Sequence, residues 1–220
     1  MTEKAAMKIP DNEKHVLSKS TFIRGLQCDK SLYLNRKQPR LRDATPPELR
    51  RIFDTGTEVG LRARDRFPGG VDAGPESPFN HQESLRRTKE LIDQGVPVLY
   101  EAAFQHERVL SIMNILVNDG SGWRAYEVKS STSVTDTYVM DASLQYHIIN
   151  GSGLTLKDIS IVYINNGYVR RGAIDPAELF TMESVHDMVL RNHDFVKNEI
   201  ERMKGVHRKS AIPEIAIGEH

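Results

Sequence analysis

The chain has 220 residues, of which 39% are hydrophobic, as is typical of one ordinary globular domain. Its 30 basic residues balance 30 acidic residues, so the net charge lacks the basic character common among nucleic-acid-binding proteins. A single cysteine, Cys28, excludes an internal disulfide. Without a signal peptide or a run of about 20 apolar residues, the chain is expected to be cytoplasmic and not bound to a membrane.

The N-terminal part of the chain is predicted to be helical. We expect a loose tail over residues 1–16 and one domain over residues 17–220. Ser18 or Ser20 is a suitable N-cap for the first helix, since a hydroxyl oxygen can accept from the free N–H groups of the first turn. Helices are predicted over residues 18–36, 48–67 and 81–94.

The middle of the sequence predicts an antiparallel meander of three strands, over residues 96–104, 109–117 and 123–129. The last two strands are joined by an Asn-Asp-Gly-Ser-Gly turn, whose residues accept positive φ angles. Each strand carries one acidic or amide side chain among apolar ones: Glu101, Asn114 and Glu127. One such residue is usually a satisfied core group, but three in consecutive strands indicate a site.

Glu127 and Lys129 lie two residues apart and therefore point to the same face of their strand. Burial of an ionised carboxylate there costs several kcal/mol unless a partner or a metal offsets it. A carboxylate beside an amine suits metal-assisted hydrolysis, because the carboxylate can hold a divalent cation while the amine steadies an attacking water or a developing charge. An ordinary ion pair at a strand end is the competing interpretation.

The C-terminal part is predicted to contain a helix over residues 136–149, in which Asp141 and Gln145 share a face. Strands are predicted over residues 159–164 and 168–172, and a further helix over residues 175–204. With helices at both ends and strands between them, the sequence predicts an α/β fold with a central mixed sheet flanked by helices.

The order of these motifs resembles the PD-(D/E)XK nuclease superfamily, in its RecB-like branch, which includes the CRISPR-adaptation nucleases. The matching positions are Glu101, position 114, Glu127-x-Lys129 and the segment 141–146. The opening segment 17–28, the segment 53–60 and the Arg-Phe-Pro-Gly-Gly stretch also resemble that branch. A bacterial family of uncharacterised RecB-like proteins is a closer match, and the resemblance extends from about Leu17 to the C-terminus.

The resemblance implies a restriction-endonuclease-like fold and a hydrolase that cuts phosphodiester bonds of single- or double-stranded DNA. It implies Mg²⁺ or Mn²⁺ as the cofactor, with ligands from Glu101, Asn114, Glu127 and the carbonyl of Val128. Lys129, Glu127 and Gln145 would be the catalytic residues, with Lys129 orienting or deprotonating the water.

Two positions depart from the family pattern. Asn114 stands where the family has a metal-binding Asp, and a neutral amide ligand should lower metal affinity. Gly60 stands where many relatives have a metal-ligating His. The sequence therefore predicts a weakened or inactive nuclease, and leaves open whether Asn114 is natural or introduced. A nucleic-acid-binding or scaffolding module without chemistry is the main alternative, and a small-molecule phosphatase or unrelated metal enzyme is a weaker one.

DNA contacts are predicted from local charge and from the resembling motif. Between Arg24 and Arg66 the chain has eleven basic and six acidic residues, a local excess of five positive charges. This excess fits a phosphate-binding groove and a solvated helix face about equally well. The predicted nucleic-acid-binding residues are Arg62, Arg64, Arg66, Gln145 and Tyr146.

Some relatives bind an iron–sulfur cluster through one N-terminal and three C-terminal cysteines. With Cys28 alone, no such cluster is expected within this chain. In the look-alike family a Cys-containing segment follows an ending like this one, so a missing C-terminal segment or a protein partner is an open expectation. His147 and His193 are interpreted as helix-surface residues rather than metal ligands, since no histidine pair has the spacing of a helical metal site.

Overall fold

The computed structural model describes residues 14–75 and 80–214, so most of the predicted tail over residues 1–16 lies outside the described residues. Its centre is a seven-stranded mixed sheet flanked by helices. The predicted α/β class, with a central mixed sheet between helices, is confirmed. Within the described ranges, no helix is long and apolar enough to cross a membrane.

The sheet contains two short strands and five longer ones. They are β1 (Leu17–Ser18), β2 (Val71–Asp72), β3 (Val98–His106), β4 (Val109–Asn118), β5 (Trp123–Val128), β6 (Leu156–Ile164) and β7 (Phe180–Ser184). Their order is β2-β3-β4-β5-β6-β7, and β1 pairs with β4. The β3–β4–β5 meander is antiparallel, as predicted, whereas β5 and β6 are parallel.

The helices lie before, between and after the strands. They are α1 (Lys19–Gln27), α2 (Asp29–Lys37), α3 (Pro47–Ala63), α4 (His81–Asp93), α5 (Asp136–Gly151), α6 (Pro176–Leu179), α7 (His186–Arg191) and α8 (His193–Arg208), with 3₁₀ turns over Pro39–Leu41 and Arg64–Arg66. Helix α5 is the crossover that parallel pairing of β5 and β6 requires, because a tight turn cannot join two parallel strands.

The predicted first helix is two helices. Cys28 has an extended backbone, with φ −164° and ψ 119°, and its Sγ accepts a hydrogen bond from the N–H of Ser31 at 3.3 Å. The single cysteine thus ends α1 and caps α2, a role that thiols rarely have and that the sequence analysis did not anticipate.

Two C-terminal predictions are wrong. Residues 168–172 form no strand, and the predicted helix over residues 175–204 is divided into α6, β7, α7 and α8. Phe180 is buried in the sheet core, and β7 pairs antiparallel with β6. Tertiary pairing along the open edge of β6 therefore outweighs the local helical preference of this segment.

Among the described residues three apolar clusters pack against the sheet: the smallest lies beside α4, and the two larger ones cover opposite faces. The largest lies between the sheet and α5 and includes Leu116, Ala125 and Leu144. The second lies between the sheet and the end of α3 and includes Ala63 and Tyr100. Together they leave the β3, β4 and β5 positions that carry polar residues facing a cleft.

The pairing of β3 with β4 is interrupted where the predicted site begins. Tyr100 pairs with Ile115 and Ala102 with Met113, but Glu101, between them, has a φ of +52°. A left-handed conformation in a non-glycine residue costs about 1–3 kcal/mol and is most often found at functional sites.

Tyr100, next to this irregularity, anchors the segment that follows α3. Its hydroxyl donates to the carbonyl of Phe67 at 2.5 Å and accepts from the N–H of Gly70 at 3.2 Å. A Cβ at Gly70 would lie 2.3 Å from the Tyr100 ring, so this approach requires glycine.

Candidate active site

The predicted site residues of three strands line one cleft of about 870 Å³ between the sheet and α3. From the sheet its lining includes Glu101, Asn114, Glu127, Val128 and Lys129. The structure therefore brings together the acidic positions, the amide and the amine that the sequence placed on separate strands.

Glu127 is a buried carboxylate with three hydrogen-bond donors. It is 1% exposed, and its Oε1 accepts from Lys19 Nζ and from Lys129 Nζ, each at 2.7 Å. Its Oε2 accepts from Gln145 Nε2 at 2.9 Å. Burial opposes its ionisation, but the two ammonium groups outweigh burial and lower the pKa of Glu127 to about 2.

Lys129 bridges two buried carboxylates. Its Nζ lies 2.7 Å from Glu127 Oε1 and 2.5 Å from Asp141 Oδ2. Burial alone would lower the pKa of Lys129, but Glu127 and Asp141 outweigh burial and raise it. Lys129 is therefore protonated at neutral pH. Of its two predicted roles, this geometry supports orienting a water or an anionic oxygen and does not support deprotonation.

Asp141 is the second buried carboxylate, and it accepts fewer hydrogen bonds than Glu127. It is 4% exposed, and its Oδ1 is inaccessible and has no hydrogen-bond partner among the described residues. Burial, together with the like charge of Glu127, raises the pKa of Asp141 against the opposing effect of Lys19. The cluster of Lys19, Glu127, Lys129 and Asp141 thus brings two amine and two carboxyl groups together.

Lys19 and Asp141 were not among the predicted site residues. Lys19 is the first residue of α1 and is 108 positions from Glu127 in the chain, so spacing gives no sign of their contact. One signal was present: a lysine in the first turn of a helix opposes the helix dipole and needs another reason to be there. Asp141 was predicted to share a face with Gln145, and that face points to Glu127.

Asn114 joins three strands through its amide. Its Nδ2 donates to Glu101 Oε1 at 3.3 Å, and its Oδ1 accepts from the backbone N–H of Val128 at 3.0 Å. Arg64 approaches Glu101 Oε1 at 3.5 Å from the other side. Burial raises the pKa of Glu101, partly offset by the hydrogen bond from Asn114 and by Arg64.

The ligand atoms that line the cleft are oxygens, the type that a hard divalent cation prefers. Glu101, Glu127 and Asn114 supply carboxylate and amide oxygens, which Mg²⁺ and Mn²⁺ prefer. The set carries two negative charges, where an Asp at position 114 would give three. Gly60 also lines the cleft, and a Cβ there would meet no atom within 4 Å, so the place of the family's histidine is open space.

The residues predicted to contact nucleic acid do not all lie in the cleft. Arg64 lines the cleft, whereas Arg62 is exposed and lies 3.6 Å from Glu58. Arg66 belongs to the 3₁₀ turn after α3 and is not in the cleft lining. The Tyr146 hydroxyl lies 3.3 Å from a ring nitrogen of His186.

The expected contact of Gln145 with nucleic acid is the prediction that the structure corrects most clearly. Its side chain is fully buried, and its Oε1 accepts from the Ser111 hydroxyl at 3.3 Å while its Nε2 donates to Glu127. An amide in the interior must satisfy both ends, and here it does so by fixing the carboxylate. Gln145 is a positioning residue in this arrangement.

No protein-family model and no curated protein matches this chain. Among solved structures, it is similar to the crystal structure of SSO0001. The two share 8% sequence identity over 86% of this chain and 78% of SSO0001, with a TM-score of 0.41. The fold class and the site therefore rest on the geometry of this chain.

Proposed function

We propose that this chain is a metal-dependent DNA nuclease of the PD-(D/E)XK class, in its RecB-like branch, and that Asn114 weakens its phosphodiester hydrolysis. The observation that carries the proposal is the buried Glu127–Lys129 pair in a cleft that also holds Glu101 and Asn114. A structural ion pair needs no cleft of about 870 Å³, whereas a substrate does.

In this proposal Mg²⁺ or Mn²⁺, when bound by Glu101, Asn114, Glu127 and the Val128 carbonyl, would activate water and offset phosphate charge. Gln145 fixes the Glu127 carboxylate, and Asp141 holds the Lys129 ammonium beside it. The protonated Lys129 donates to the attacking water or to a non-bridging phosphate oxygen.

The proposed substrate is single- or double-stranded DNA, since the chemistry requires a phosphodiester. Arg64, at the cleft wall, is 20% exposed in its side chain and can turn from Glu101 to a phosphate oxygen. A cytoplasmic location follows in the same proposal from the single free cysteine.

A second candidate function is a nuclease fold that binds nucleic acid or scaffolds a partner without cutting. The specific observation in its favour is that the charges of the site balance without a metal. Two ammonium groups neutralise Glu127 and Asp141, and the Asn114 amide donates to Glu101 in the place of a cation.

Cleavage assays on Asn114→Asp separate the two. With Mn²⁺ and labelled single- and double-stranded DNA, we expect feeble or no cleavage by the parent protein and clear cleavage by Asn114→Asp, because the third anionic ligand raises metal affinity. Lys129→Ala in that background should abolish it. Asn118→Asp is the matched control, since it adds the same charge to the same strand at its last residue, outside the cleft lining.

Activity in the Asn118→Asp control, or retained cleavage after Lys129→Ala, would point to a contaminating nuclease. If Asn114→Asp binds Mn²⁺ yet leaves both DNA forms intact, the non-cutting function replaces the nuclease. A gain of cleavage confined to Asn114→Asp supports the proposal.

A further inference from the structure

A second group of ligating side chains lies at the other end of β3. His106 is the last residue of that strand, Glu107 follows it in the turn to β4, and His147 projects from α5. One ligand atom from each of the three lies within 4.8 Å of the other two. His106 lies five positions along β3 from Glu101, about 17 Å at the rise of a strand, so the group is distinct from the cleft.

His147 is buried, which corrects its interpretation as a helix-surface residue. It is 8% exposed, and its Nε2 is inaccessible and has no hydrogen-bond partner among the described residues. Its ring lies 5.5 Å from that of His106 and 5.6 Å from that of His193, between centroids. A buried imidazole nitrogen without a hydrogen-bond partner is destabilising, so a ligand at this nitrogen would remove a penalty.

The protonation state of His147 suits a cation site. Burial, and to a smaller extent His106, lowers the pKa of His147 to about 4. The imidazole is therefore neutral at physiological pH, which is the form that ligates metals. The Glu107 carboxylate lies 3.7 Å from His106 through one oxygen and 3.5 Å from Lys204 through the other.

The backbone around the group leaves room for these side chains. A Cβ on Gly151, at the end of α5, would lie 2.1 Å from the His106 ring, so any other residue at this position would displace the ring. Glu107 and Arg108 both have left-handed backbones, with φ of +48° and +62°. Positive φ at both central residues is what a two-residue hairpin turn requires, and this turn places Glu107 directly after His106 at the end of β3.

We propose that His106, Glu107 and His147 bind one divalent transition-metal ion, with Zn²⁺ as the best fit, and that this ion fastens the β3–β4 turn to α5. Two imidazoles and one carboxylate form a recognised zinc ligand set, with a fourth position left for water. The nitrogen ligands distinguish this site from the all-oxygen cleft, which favours Mg²⁺ or Mn²⁺. The proposal does not depend on nuclease activity.

Calorimetric titration of metal-free protein with Zn²⁺, in excess Mg²⁺ to occupy the cleft, tests the site. We expect saturable binding of one Zn²⁺ and a rise in melting temperature on binding, because only the folded chain brings the three residues together. Co²⁺ should give visible absorption bands typical of a low-coordinate nitrogen- and oxygen-ligated ion.

Glu107→Gln and His147→Gln should each weaken Zn²⁺ binding by more than the roughly 10–100-fold that loss of an outer-shell partner costs. Glu107 is exposed, so its variant removes only a charge and keeps the fold, which circular dichroism checks. His186→Gln, on α7, is the matched control and should bind as the parent does. The absence of saturable Zn²⁺ binding, or parent-like affinity in Glu107→Gln and His147→Gln, would overturn the proposal.

Discussion

Asn114→Asp should make folding stability depend on metal. The amide nitrogen of Asn114 lies 3.3 Å from Glu101 Oε1, so an aspartate oxygen would face a carboxylate at that distance. Two unit charges 3.3 Å apart repel by about 5 kcal/mol at an effective dielectric constant of about 20. Protonation of one carboxyl at pH 7 caps the penalty near 4 kcal/mol, since each pKa unit is about 1.4 kcal/mol. We expect a net loss of about 2–4 kcal/mol.

The loss should depend on pH with a definite sign. Burial already raises the pKa of Glu101, and a neighbouring Asp would raise it further. A carboxyl with a raised pKa in the folded state favours folding while it is protonated. The stability of Asn114→Asp in EDTA should therefore approach that of the parent near pH 4 and fall behind it as the pH rises to 7.

Urea unfolding with and without Mn²⁺, over this pH range, measures both effects. Mn²⁺ at about 100 times its dissociation constant should raise the free energy of unfolding of Asn114→Asp by about 2.7 kcal/mol at pH 7. The matched variant Asn118→Asp, at the last residue of β4 and outside the cleft lining, should change by less than about 0.5 kcal/mol and respond little to Mn²⁺. Equal stability of Asn114→Asp and the parent in EDTA, across all pH values, would refute the reasoning.

Two further outcomes follow from the site. Gln145→Leu should lower the free energy of unfolding by about 1–3 kcal/mol, because Glu127 Oε2 loses its hydrogen-bond donor. Chemical denaturation measures this change. An unchanged unfolding midpoint would show that Gln145 does not position Glu127. Arg64→Glu should weaken DNA binding, measured by fluorescence anisotropy. It should also reduce the slope of the log binding constant against log salt concentration by about 0.9 on duplex DNA. Arg62→Glu, outside the cleft lining, should have neither effect. Equal effects of the two reversals would favour a diffuse basic surface.

The strands that carry the site could be predicted because their signals are local. The meander follows from alternating apolar residues and a turn rich in glycine, and its three polar positions stand out against buried neighbours. Lys19 could not be predicted as a partner of Glu127, since their contact depends on how α1 docks at the end of the sheet. The edge strand β7 was missed because its five residues are too few to separate strand from helix periodicity.

His147 shows a different limit of sequence reasoning. Metal sites are recognised in sequences by regular spacing on one element, such as two histidines one helical turn apart. Here the three residues come from a strand end, a turn and a helix, 41 positions apart at most. Only the packing of α5 against the sheet brings them together.

The left-handed residue in β3 lies between two parts of that strand that have different packing partners. On one side of Glu101, Tyr100 is fastened to the segment after α3 through Phe67 and Gly70; on the other, Ala102 belongs to the rigid core under α5. A shift of the α3 wall would therefore reach Glu101 through Tyr100, whereas Glu127 is held separately by Lys19, Lys129 and Gln145. If the cleft admits DNA as proposed, a displacement of its α3 wall would also change the position of one of its acidic groups.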